Sequence, residues 1–210
     1  MLSARRSGWP ARAWHNQHQM ATVERKTFGN HEVVNHPPPL VDYNVFAADT
    51  VLVEAVKREG AEWDRERIAA AGEYAGSEAA QELGRLANEN GPKLKTHDRY
   101  GNRVDIPEFH PAWHELMSVG VGFELHSSPW KDPRPGAHVA RGAAFMCMSQ
   151  AEAGIGCPIS MTYSVIPALR TQPELAAEWE PRFLSSSYDP RNTPAPGKAG
   201  ALPGMGVTEE

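Results

Sequence analysis

The chain is poor in cysteine, in long apolar runs and in clustered positive charge. Its two cysteines, Cys147 and Cys157, are too few for a disulfide framework, and their spacing matches no zinc-binding pattern. A reducing cytoplasm is the expected compartment. No stretch approaches the ~18–20 consecutive apolar residues of a membrane span. The net charge is −5, with no stripe of Lys and Arg of the kind that tracks a phosphate backbone. Nucleophile-elbow, Walker and dinucleotide-binding glycine motifs are also missing.

What is present suits a globular chain. Apolar residues make up 40% and charged residues 22% of 210 positions, enough for one domain with a real core. Residues 1–19 carry Arg5, Arg6 and Arg12 and no acid; without them the chain holds 18 basic against 26 acidic groups, or −8. That stretch lacks the apolar centre of a secretory signal. It reads either as a transit peptide or as an extended gene start with Met20 as initiator, and its two Trp, its Pro and its lack of amphipathic period favour the second.

Punctuation residues divide the remainder. The three prolines in "NHPPPLVDYNVF" forbid helix and predict an extended arm, anchored by Leu40, Val41, Tyr43, Val45 and Phe46. Asp49 is placed to cap a helix over 50–59 closed by Gly60, with Leu52 and Val56 on one face and Val51 and Ala55 beside them. A short helix over 64–71 is expected to end at Gly72. Ser77 should cap another, running to about Asn88. Gly101-Asn102 between two β-compatible segments signals a hairpin over 94–106, expected to lie on the helical body. Pro111 suits the first turn of a helix that buries Trp113, Leu116, Met117, Gly120 and Val121. A helix over 137–153 is apolar almost all round and so belongs inside a bundle. Two more are expected, from Pro158 to a stop near Pro167 and over 174–179. Residues 188–204 read as loop. The last residues, "GMGVTEE", alternate Met205 and Val207 with Gly206 and Thr208, like the start of a strand.

Candidate chemistry is sparse. His110 and His114 have the i, i+4 spacing of a zinc-binding helix, but Pro111 lies between them and no Glu follows His110, so capping and packing are the expected roles. Cys157 precedes a helix start, which would lower a thiol pKa, while an apolar setting would raise it. Ser160, Thr162, Tyr163 and Ser164 could line a ligand channel; bonding back to helix carbonyls is the simpler use.

Several blocks, in order along the chain, carry a resemblance. They are "EAVKREGAEWD" (54–64), "ELGRLAN" (82–88), "FHPAWHELM" (109–117), "GAHVARGAAFM" (136–146), "EAGIGCPISMTY" (152–163) and "GMGVTEE" (204–210). From about residue 30 to its end the chain resembles the N-terminal part of the AidB-like branch of the acyl-CoA dehydrogenase family. The resemblance implies an all-α fold of the acyl-CoA dehydrogenase N-terminal type with one short β-hairpin. It divides the chain into an extension over 1–29, a helical domain over 30–188, and a linker with the first strand of a truncated flavin-binding β domain over 189–210.

The same resemblance implies FAD as the parent protein's cofactor. Met205, Gly206, Val207 and Thr208 would be its contacts here, with the Thr208 hydroxyl bonding the flavin. Val207 stands where the family often has Met, and Glu210 where it usually has Lys. The family's catalytic Glu lies in its C-terminal domain, so no catalytic residue is assigned to this chain, which is expected to be inactive and to hold FAD weakly or not at all. The implied partners are copies of itself in a tetramer, acyl-CoA, and DNA through a C-terminal region, in the response to DNA alkylation. A non-catalytic helical module for self-association is the alternative.

Overall fold

The structure, a computed structural model, describes residues 34–204 and Gly206. The described residues divide into two units, one ending at Pro38 and the other beginning at Pro39. Of the first, the described residues 34–38 form no helix or strand. The second is a helical bundle with one hairpin, in the order α1 (Val45–Ala48), α2 (Thr50–Arg58), α3 (Arg65–Gly76), α4 (Glu78–Glu89), β1 (Lys93–His97), β2 (Arg103–Glu108), α5 (Pro111–Gly122), α6 (Ser128–Lys131), α7 (Ala137–Met148), α8 (Gly156–Leu169) and α9 (Pro173–Phe183). Short 3-10 turns cover Glu62–Asp64 and Ala195–Gly197.

The predicted caps form. Asp49 accepts the Leu52 amide at 2.9 Å, and Ser77 accepts that of Ala80 at 3.1 Å. Pro111 opens α5, with the His110 ring accepting the Ala112 amide. Each satisfies an N–H that the first helical turn leaves unpaired.

α7 lies at the centre, against α3, α2, α1 and α6, while α4 packs on α5. Its small residues Ala140, Ala143 and Ala144 are buried and let neighbouring helices approach. Around them Ile68, Leu116, Met117, Leu125, Met148 and Ile159 are closed off from solvent. Burying such side chains stabilises by ~1.5–3 kcal/mol each.

Several local expectations are corrected. The arm is not extended throughout: residues 45–48 form a helical turn capped by Asn44, Phe46 is buried, and Leu40 is 74% exposed. Val51 points outward from α2 at 76% exposure. Gly72 does not end a helix. It sits inside α3, where a Cβ would stand 2.6 Å from the Phe46 backbone nitrogen, so its bareness admits α1 rather than marking a stop.

Pro167 and Pro181 both lie inside helices, so α8 and α9 run past their expected ends. In α8 the carbonyl that Pro167 leaves unpaired is that of Tyr163, and the Trp130 indole N–H donates to it at 2.9 Å. In α7 the reverse holds, since it stops at Met148, short of Ala153.

The hairpin forms in antiparallel register (Lys93↔Glu108, Lys95↔Ile106, His97↔Arg103), with an irregularity between Lys95 and His97. Its turn is organised by Asp98, whose carboxylate accepts the Tyr100 and Asn102 amides at 2.8 and 2.9 Å. It is not covered as expected: every β1 residue is exposed, and in β2 only Val104 and Ile106 are half-buried.

Candidate functional site

The chain leaving α9 turns back across α5 and the base of the hairpin. Between them lies a groove of about 770 Å³ whose walls include Ile106, Phe109, Trp113, His114, Tyr188 and Leu202. That volume falls in the range of small-molecule pockets. α5 presents Trp113 and His114 on adjacent positions at its start. Phe109 stacks on Trp113 with centroids 4.1 Å apart, and His114 stands edge-on to Trp113 at 5.4 Å.

Opposite, the Tyr188 hydroxyl pairs with His114 Nδ1 at 2.7 Å. Burial lowers the His114 pKa and pushes the Tyr188 phenol up to about 12, so both are uncharged at neutral pH. Two carboxylates reach the lining, and both are engaged: Glu108 with Lys95 at 3.0 Å and Asp189 with Arg191 at 2.5 Å. The groove therefore offers an aromatic wall, neutral hydrogen-bonding groups and the Lys198 ammonium, and its carboxylates are already paired.

A second depression of about 440 Å³ lies between the 43–52 segment and α7, with Val45, Leu52 and Met146 among its walls. Met146 is 54% exposed.

Of the four expected flavin contacts, only Gly206 is described; Met205, Val207 and Thr208 lie outside the described residues. Gly206 is exposed, and among the described residues a Cβ there would meet nothing within 4 Å. The histidines do what their spacing allowed: His110 caps α5 and His114 holds Tyr188. Among the described residues no group of three or more His, Cys, Asp or Glu is placed to hold a metal, and no helix is long and apolar enough to cross a membrane.

Thr162 and Ser164 bond back to the carbonyls of Pro158 and Met161, the simpler of their two expected uses. Tyr163 instead pairs with His138 at 2.6 Å, with the Arg141 guanidinium over its ring. Cys157 is exposed in the first turn of α8, not set in apolar surroundings. His126 was not singled out by the sequence. It is 1% exposed, and it donates from Nε2 to the Ser185 carbonyl at 3.0 Å. No motif marks it, because its partner lies 59 positions away.

Three comparisons bear on this geometry. Residues 35–190 match the family model described as the adaptive response protein AidB N-terminal domain. AidB of Escherichia coli (strain K12), whose name marks it as a candidate acyl-CoA dehydrogenase, is 44% identical over 182 residues, 86% of this chain and 34% of the relative. Among solved structures, the apo form of Bd2924 aligns with a TM-score of 0.66 at 21% identity, over 72% of this chain and 31% of that one. Caenorhabditis elegans ACDH-11, solved with C11-CoA, aligns at 0.63 and 23%, over 75% and 28%. At those identities the structures show the shared helical fold. The chain spans about a third of the length of each relative.

Proposed function

The chain belongs to the AidB N-terminal domain family, and from that premise we propose that it is the helical N-terminal part of an FAD-dependent, acyl-CoA dehydrogenase-like flavoprotein of the DNA alkylation response. The match over 35–190 carries the reading, because it covers the whole helical body, α1 to α9. Residues 30–188 would form the domain and 189–210 the passage into a flavin-binding β domain, with Met205, Gly206, Val207 and Thr208 against the flavin. FAD, when bound, would accept hydride. The 210-residue chain alone would show no dehydrogenase activity, in line with the paired state of both groove carboxylates. The proposed setting is the cytoplasm, as a tetramer, with acyl-CoA as ligand and DNA met through a C-terminal region.

The test joins residues 1–210 to the remaining two-thirds of the E. coli relative and measures flavin absorbance after purification. Stoichiometric flavin that falls on Thr208→Val supports the reading. A colourless chimera of correct fold, or stoichiometric flavin on residues 1–210 alone, overturns it.

One observation favours a second reading, self-association through the helical body. Val51 and Met146 are 76% and 54% exposed, and Met146 borders the smaller depression. Concentration-dependent sedimentation that is abolished by Val51→Lys would support it, and a monomer at high concentration would remove it.

A further inference from the structure

The stretch between α9 and Gly206 reads as a linker, but its bonds close it on itself. The amides of Ser185 and Ala201 both donate to the Arg182 carbonyl, at 3.3 and 3.2 Å. Gly200 is buried where a Cβ would strike the Ser187 carbonyl. Within the loop, Asp189 accepts the Arg191 amide and Nε at 3.1 and 2.8 Å, and Arg191 donates onward to the Gly197 carbonyl at 3.1 Å. A surface loop with adjoining ends and its own internal bonds is an Ω-loop. Tyr188 within it and Leu202 just past it pack on the core.

Beneath the neck lies His126. A carbonyl can only accept, so its Nε2 carries the proton that bonds Ser185. Its Nδ1 is buried without a partner among the described residues. An aliphatic side chain of that volume would avoid this cost. What the imidazole supplies, and an aliphatic cannot, is a donor aimed at the neck.

We propose that His126 is a positioning residue that fastens the neck of the 185–200 loop to the turn after α5. It thereby fixes the point, at Ala201 and Leu202, from which the chain departs toward Gly206. The link to cofactor placement rests on the flavin reading above; the fastening does not.

The test uses His126→Leu and His126→Gln in the 210-residue chain, the second because its amide N–H reaches the place of Nε2. Trypsin can cut after Arg191 and Lys198 in the loop and after Arg67 and Arg141 in the core. The expected result is loop cleavage roughly tenfold faster in His126→Leu, the shift one lost hydrogen bond makes in an opening equilibrium. Core sites should keep wild-type resistance, and His126→Gln should restore the loop. Equal loop resistance in His126→Leu, or equal loosening of core and loop that Gln does not repair, overturns the proposal. Should His126→Leu fail to fold, hydrogen exchange of the wild-type Ala201 amide decides: protection supports the closed neck, and exchange at the unprotected rate overturns it. In the chimera, a loosened loop with unchanged flavin would keep the fastening and remove only its link to the cofactor.

Discussion

Asn44 and Gly72 meet so closely that a side chain on the second would displace the first. A Cβ at Gly72 would stand 2.7 Å from Asn44 Oδ1, the atom that caps α1, while Asn44 Nδ2 donates to the Ala69 carbonyl at 2.9 Å. Asn44 thus holds α1 and α3 together through one carboxamide, and the glycine makes the room.

Gly72→Ala should therefore destabilise the fold by ~1–3 kcal/mol, the usual cost of overpacking, although alanine is the better helix former. Urea unfolding measures it. Stability equal to or above wild type would mean that α1 shifts freely and that the contact carries little.

Acid should weaken the protein through His126. Burial is the main cause that lowers its pKa, to about 4, with Lys131 and Arg141 acting the same way and Glu124 and the Ser185 bond opposing them. The unfolded histidine takes its proton near pH 6.5. Stability is full above that pH and is lost as the pH falls toward about 4, by about 3 kcal/mol in all. Thermal unfolding from pH 7.5 to 4 should show this slope, and His126→Leu should flatten it. An unchanged slope in the variant would assign the acid sensitivity to other groups.

The two thiols should separate cleanly. Cys147 is buried, which pushes its pKa up to about 11, and Cys157 is exposed. A disulfide reagent at pH 8 should titrate one thiol quickly and the second only on unfolding. Two fast thiols would contradict the packing of α7.

Trp130 and Pro167 should couple. Trp130→Phe removes the donor to the Tyr163 carbonyl and should cost ~1–2 kcal/mol. In a Pro167→Ala background the new backbone N–H can take that carbonyl, so the same change should cost less. A double-mutant cycle measures the difference, and strict additivity would show that the new N–H does not take over the carbonyl that the indole bonds.

Much of the body was legible because its signals are local. Asp49 and Ser77 each accept an amide three residues on, and Pro111 suits a first helical turn by its own fixed φ, so a reader of the sequence can place them. Gly72 and Pro167 were misread for one shared reason. Glycine and proline mark a helix end only when nothing distant reconciles them with the helix. Here α1 uses the space at Gly72, and Trp130, 33 positions from Tyr163, takes the carbonyl that Pro167 frees. The candidate site was less legible still. His110 and His114 drew attention by spacing, yet the groove is made by His114 and Tyr188, 74 positions apart, and no period or motif joins them. The resemblance placed the family correctly, because it draws on the order of whole blocks.

The closed neck of the 185–200 loop also separates length from geometry. With Ser185 fastened and Arg182 bonded to Ala201, the number of residues in the loop no longer sets where the chain emerges. Extra residues near the exposed tip at Asn192 and Thr193 would add only loop-closure entropy, which grows slowly with length. That tip is therefore a natural insertion point, where a tag or a small domain could be carried without disturbing the path toward Gly206.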